Sequence, residues 1–270
     1  MMNEPRPLYS TLEMTMTREA LFTVVKHLPE PIVVLGGWGV YLLVNEDYTE
    51  EHGVPYLGSR DLDLGFHIDP ELSLEKLKET TYAKTLAKIA DIGYSPAGTS
   101  RYCRFVHTET GQTLSKEEAA GVPLHFLFYL YFDPIPDRIH PRHFEVFKIK
   151  PLDEPLLELA FLNNRFVEVL LGETPLLIPE PAILVATKLN AFPNRQKDDK
   201  RIKDACDTYA LLWHSVDDPG SLNDTVRKEF PDLVENARPM MRRDIVGKAA
   251  EHLGIEPETF EDVIGQLIER

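Results

Sequence analysis

The sequence predicts an α+β fold in which a mixed, twisted β-sheet is flanked by helices and followed by a mainly α-helical C-terminal region. Three observations carry this expectation. An apolar run, Val33-Val34-Leu35, stops at Gly36-Gly37 and resumes as Trp38, Val40, Tyr41, Leu42 and Leu43, the pattern of a buried strand turning into a helix. Leu62, Leu64 and Phe66 alternate with Asp61, Asp63, Gly65 and His67, the period of a strand with one polar face. Beyond Pro151 the apolar residues recur mostly at helical intervals. The expected division is a core domain over residues 1–150 and a helical domain over 151–270.

In chain order, Ala20, Leu21, Val24, Val25 and Leu28 predict a helix over 17–28, ended by Pro29 and Pro31. The first strand is expected at 32–35, the helix after the glycines at 38–44, and a long acidic connection with Gly53, Pro55 and Gly58 at 45–59. Leu72, Leu74, Leu77, Tyr82, Leu86, Ile89 and Ile92 predict one helix capped by Gly93. Strands are expected near 101–107 and 123–133, and an edge strand where Phe144, Val146, Phe147 and Ile149 alternate. Helices follow near 156–161, 180–192, 203–214, 221–237, 242–253 and 257–268, with an extended piece at 166–178.

The chain has 270 residues, 43% hydrophobic and 27% charged, which excludes wholesale disorder. No apolar run approaches the roughly 20 residues that cross a bilayer, so no membrane partner is expected. Met1 to Pro7 lack the basic-then-apolar layout of a signal peptide, and a cytoplasmic protein is expected. Cys103 and Cys206 sit in no metal-ligand spacing and read as reduced packing residues. A net charge of −15 argues against a surface broadly adhesive to nucleic acid. The local exception is 195–203, five cations in nine residues, which reads most simply as a solvated helix face.

The chemistry concentrates at two places. Gly36 and Gly37 leave bare amides at a helix N-terminus, where anions bind. Asp61 and Asp63, two apart on a strand, point the same way, and such a pair is costly unless a divalent cation sits between them. An exposed strand face is the simpler reading of two aspartates alone; the glycine turn upstream favours phosphate and metal. His140-Pro141-Arg142-His143, with Asp137 and Glu145, matches no closed zinc ligand set and reads as a proline-rich turn.

A strand, a Gly-Gly turn, a helix and then Ser59-Arg60-Asp61-Leu62-Asp63 on the next strand resembles the polymerase-beta-like nucleotidyltransferase fold. Within it the chain is similar to the AbiEii/AbiGii toxin family and its archaeal relatives, which carry Gly-Gly-Trp-Ala-Val and Ser-Arg-Asp-Ile-Asp patterns. A second match lies downstream, from Ile178 through Lys188 to Arg195, then Lys203-Asp204-Ala205-Cys206-Asp207. The resemblance implies that Gly36, Gly37, Ser59 and Arg60 contact the nucleotide and that Asp61 and Asp63 ligate Mg²⁺ or Mn²⁺. It further places Lys188 and Arg195 against the phosphates, with Asp204 and Asp207 as acid/base or orienting groups. Each of these four has an ordinary reading as part of an amphipathic helix.

What the resemblance implies is transfer of a nucleoside monophosphate from an NTP to an acceptor hydroxyl on RNA such as tRNA, a protein or a small molecule, in a toxin-like component paired with an antitoxin. One departure stands out. The fold usually supplies a third carboxylate from a later strand, and the candidate, 124–133, has no interior acid; Asp133 lies at its end, and His125 suits Mg²⁺ poorly. Two alternatives therefore stand beside the first reading: a small-molecule, aminoglycoside-type nucleotidyltransferase, and a nucleotide-binding regulatory protein whose metal site has decayed.

Overall fold

A computed structural model describes residues 5–216 and 218–268; the first four residues of the amino-terminal reading lie outside them. The chain divides into two compact units, each discontinuous in sequence. One holds residues 11–38 and 59–178, the other 1–10, 39–58 and 179–270. The division falls after Ile178 rather than after residue 150, so the extended piece expected among the helices belongs to the sheet.

The first unit is built on a mixed eight-stranded sheet. Its elements are α1 (Thr11–Val25), β1 (Val33–Val34), the start of α2 (Gly36–His52), β2 (Asp61–Phe66), α3 (Leu74–Leu77) and α4 (Thr81–Asp91). There follow β3 (Ser95–Ala97), β4 (Arg101–His107), β5 (Thr113–Leu114), α5 (Lys116–Ala120), β6 (Leu127–Pro136), α6 (His143–Phe147), α7 (Leu157–Asn163), β7 (Phe166–Leu171) and β8 (Thr174–Pro179). The strand order is β3-β4-β6-β2-β1-β8-β7, with β5 against β4. β2 is central: it runs antiparallel to β1 and parallel to β6. Leu62 and Leu64 are buried on one face of β2, while Asp61 and Asp63 stay partly exposed on the other. Behind β1, Val33, Leu35 and Leu157 pack with Ile135, Phe161, Phe166 and Leu177.

Three local expectations change. The acidic stretch after residue 44 is not a loop, because α2 runs on to His52. Val40, Val44 and Tyr48 keep the four-residue spacing and are fully buried, the acids take the open face, and Gly53 at φ +72° ends the helix. The long helix near 72–92 is instead two, because Ser73 and Thr80 each cap a new start with their side chains. Residues 143–147 form α6, not an edge strand; His143 is buried and Phe144 exposed, so the alternation of bulky residues there is not that of a pleated face.

The second unit is helical: α2 beyond Gly39, then α8 (Pro181–Ala191), α9 (Asp198–His214), α10 (Pro219–Glu229), α11 (Pro231–Asn236), α12 (Arg243–Leu253) and α13 (Pro257–Ile268). α9 lies at its middle, packed against α8, α12 and α13, and Ala205, Cys206, Tyr209, Ala210, Leu211 and Leu212 are buried. Cys103 and Cys206 are buried and free. Among the described residues no helix is long and apolar enough to cross a membrane.

Candidate functional site

The carboxylates of the sheet unit are arranged by strand register. Asp61 and Asp63 share the partly exposed face of β2. β6 does not end at Asp133: it continues to Pro136, and Asp133 stands directly beside Asp63 in the parallel ladder. The third acid is therefore interior to its strand, which corrects the reading of 124–133. Pro134 makes the strand look finished. β4 pairs with β6 no further than Phe132, so beyond that point β6 has β2 on one side only, and a residue without an N–H is tolerated on such an edge.

A cation stands beside these acids. Arg101, the first residue of β4, donates from Nε to Asp133 Oδ1 at 2.9 Å, forms a second bond to Asp133 Oδ2, and reaches within 3.7 Å of Asp61. Its guanidinium lies 4.3 Å from the centre of the Tyr131 ring. Burial works against its charge, and the carboxylates of Asp133, Asp61 and Asp63 outweigh burial. Nothing in the local sequence marks Arg101; only the pairing of β4 with β6 brings it here.

The Gly-Gly turn abuts the same face. The amide of Leu35 donates to the Asp63 carbonyl at 2.9 Å, and Gly36 follows at φ +59°. A Cβ at Gly36 would overlap the Asp63 carboxylate, 2.8 Å from its Cγ, and would stand at positive φ, so glycine favours the start of α2 lying this close to the acid. Gly37 is buried in the first turn. Ser59, also buried, accepts the Asp61 amide on Oγ at 3.4 Å and so holds the entry to β2. Arg60 is turned to Glu13, 3.2 Å away, and lies over the Phe128 ring.

The remaining predicted residues gather in the helical unit. Lys188 Nζ is 2.7 Å from Asp207 Oδ2 and 3.6 Å from Asp204 Oδ1. Arg195 Nε donates to Asp204 Oδ2 at 2.6 Å. Asp207 Oδ1 accepts from Lys203 and, at 2.7 Å, from the Tyr56 hydroxyl. Lys188, Lys203, Asp204 and Asp207 are all buried, and only Arg195 keeps about a third of its side chain exposed.

This geometry corrects two expectations. Lys203, read as part of a solvated basic run, is 5% exposed and faces Asp207. Asp204 and Asp207 do not open their helix: α9 begins at Asp198, and Asp198 and Asp199 are its first-turn acids. Sequence reasoning does not reach Tyr56 or Lys203 as members of the cluster; a lysine four residues before an aspartate on one helix is the available signal.

Burial is the largest single influence on each of Lys188, Lys203 and Asp207, and the partner charges decide where it is overcome. It disfavours the charge on Lys188, yet Asp207 and then Asp204 overcome it and hold the ammonium above the ordinary lysine value. Burial lowers Lys203, which Asp207 offsets only in part and Lys188 reinforces. For Asp207 burial pulls upward, but Lys188 and Lys203 together keep its carboxyl below the ordinary aspartate value.

The histidines near 140 make no cluster. His140 Nε2 meets the Leu72 carbonyl at 3.0 Å and His143 Nε2 the Tyr82 hydroxyl at 3.1 Å. Asp137 is taken by His67 and the Ile68 amide, and Glu145 by Arg142. Turn chemistry is what the structure has there.

No protein-family model matches the chain, and no curated protein matches it. A solved structure, the crystal structure of an antigenic nucleotidyltransferase-like protein from Paracoccidioides brasiliensis, is similar over 84% of this chain and 92% of that one. The identity is 11% and the TM-score 0.37, a likeness too slight to carry an argument.

Proposed function

We propose that the chain is a Mg²⁺-dependent nucleotidyltransferase that moves a nucleoside monophosphate from an NTP to an acceptor hydroxyl. The observation behind this reading is the alignment of Asp63 with Asp133 beside Asp61, against a helix start where glycine holds a positive φ. Three carboxylates are hard oxygen donors, the ligand type Mg²⁺ and Mn²⁺ prefer, so the residues present fit the ion. Asp61, Asp63 and Asp133 would hold it, and the bound cation supplies charge stabilisation to a transferring phosphoryl group.

The chain's own contributions follow from its geometry. The first amides of α2 offer donors to phosphate oxygens beside the acids. Gly36 allows that proximity, and Ser59 fixes the backbone that orients Asp61. In the helical unit, Arg195 is the partly exposed cation of its cluster and the one suited to meet an anion, while Lys188, Asp204 and Asp207 hold α8 to α9. The acceptor on RNA, protein or small molecule and a toxin–antitoxin pairing rest on the motif resemblance.

A test is incubation of the protein with each α-labelled NTP, Mg²⁺ and pooled RNA, protein and metabolites. Label transfer is expected, reduced at least about 100-fold in Asp63→Asn and Asp133→Asn. Transfer unchanged in both variants overturns the assignment. A second reading, a nucleotide-binding regulatory protein, is favoured by one observation: Arg101 already lies on Asp133 and near Asp61, where a metal would sit. Nucleotide binding by calorimetry that ignores Mg²⁺ and produces no transfer supports that reading.

A further inference from the structure

The last turn of α2 and the last turn of α9 bring three ligand-type side chains together within the helical unit. One atom each from Glu51, His52 and His214 lie within 4.8 Å of one another. His52 Nε2 is 3.8 Å from Glu51 Oε1, and His214 Nδ1 is 3.9 Å from Glu51 Oε2. The two imidazole side chains are 1% and 3% exposed.

These imidazoles are short of partners. Both ring nitrogens of His52 are buried without a hydrogen bond; on His214 the unpartnered atom is Nε2, while Nδ1 is the nitrogen 3.9 Å from Glu51. Buried polar atoms are nearly always paired, and an imidazole nitrogen without a partner can ligate a metal ion. Tyr48 packs against both rings, at 4.3 and 5.4 Å between centroids, and its hydroxyl is committed to the Leu253 carbonyl.

The remaining features also suit a cation. Glu51 and His52 lie in the last turn of α2 and His214 closes α9, the helix ends where partial negative charge accumulates. Trp213 Nε1 donates to Glu51 Oε2 at 3.2 Å, the kind of outer contact that orients a carboxylate ligand. Glu51, about a third exposed, leaves one side open to solvent.

We propose that Glu51, His52 and His214 form a binding site for a divalent transition-metal ion, zinc by its ligand set, that ties the end of α2 to the end of α9. Two nitrogens and one carboxylate oxygen are a zinc set with one position left for water, and too rich in nitrogen for Mg²⁺ or Ca²⁺. Ligand bonds of about 2.0–2.2 Å place ligand atoms about 3.3 Å apart, so the present spacings need only a small closure. The site is independent of the nucleotidyltransferase reading.

The test uses the full chain, freed of metal with a chelator and titrated with Zn²⁺ by competition against a chromophoric chelator. One tight site per chain is expected, with a raised melting temperature and, on Co²⁺ substitution, the strong visible absorption of a four-coordinate ion. His214→Ala and Glu51→Gln should each weaken it about 100-fold or more. Should His214→Ala fail to fold, Glu51→Gln, a change at the open side, decides alone. Absence of a stoichiometric site, or a site indifferent to Glu51→Gln, overturns the proposal.

Discussion

The two charged clusters use the same residue types to opposite ends. In the sheet unit Asp61, Asp63 and Asp133 share a partly exposed surface with Arg101, where a cation from solution can reach them. In the helical unit Lys188 and Lys203 face two aspartates that are, like them, almost wholly buried, and these charges are spent on one another, with Arg195 at the edge. Exposure decides the difference. A buried charge must be neutralised by its own protein, whereas a surface excess persists because water screens it and is available for a ligand. The first cluster is therefore read as chemistry and the second as architecture.

The largest effect expected on stability is at the architectural cluster. Asp207→Asn leaves Lys188 and Lys203 buried without their shared counter-charge, which should cost about 3–5 kcal/mol in urea unfolding. The variant also predicts a pH dependence. The folded Asp207 carboxyl titrates below its unfolded value of about 3.9, so its contribution is complete above that pH and disappears as pH falls through the lower folded value. The stability gap between wild type and variant should be flat near neutrality and shrink below about pH 4. A gap that stays constant into acid would mean that Asp207 acts through packing, not charge.

An intermediate effect is expected at the glycine turn, where the acid cluster meets α2. Gly36→Ala places an L side chain at positive φ, at about 1–2 kcal/mol, and drives a Cβ into the Asp63 carboxylate. Gly53→Ala supplies the control, because Gly53 has φ +72° and a methyl group added there meets nothing within 4 Å. Both should lose stability through the backbone, but only Gly36→Ala should also weaken Mg²⁺ binding. Equal behaviour of the two in a Mg²⁺ titration would separate the glycine from the metal site.

How far the sequence leads differs between the clusters for a physical reason. Gly36, Gly37, Asp61 and Asp63 are close in sequence, so local periodicity places them on one turn and one strand face. Asp133 and Arg101 reach that face only through strand register, a non-local property, and Pro134 counterfeits a strand end because a proline reads as a stop until its open edge is known. The same holds for Tyr56 and Lys203: the spacing of Lys203 and Asp207 is local, but burial, which turns a solvated basic run into an ion network, follows from α9 being enclosed. The α2 extension is hidden because its acids read as loop formers even though Val44 and Tyr48 keep helical spacing.

The smallest expected effect bears most directly on the contrast between open and spent charge. If the sheet-unit aspartates await a divalent cation, Arg101 competes with it for the same oxygens, since its guanidinium lies on Asp133 and 3.7 Å from Asp61. Arg101 is itself about a third exposed, so the competition is screened and worth about 1 kcal/mol, or roughly a fivefold change in affinity. Arg101→Ala should therefore bind Mg²⁺ about fivefold more tightly in calorimetry without nucleotide, with stability little changed because the acids remain hydrated. The opposite result has a definite meaning. If Arg101→Ala gains nothing toward Mg²⁺ but loses nucleotide binding, the arginine is the phosphate's own counter-ion, the sheet cluster is spent as fully as the helical one, and the regulatory reading displaces the catalytic one.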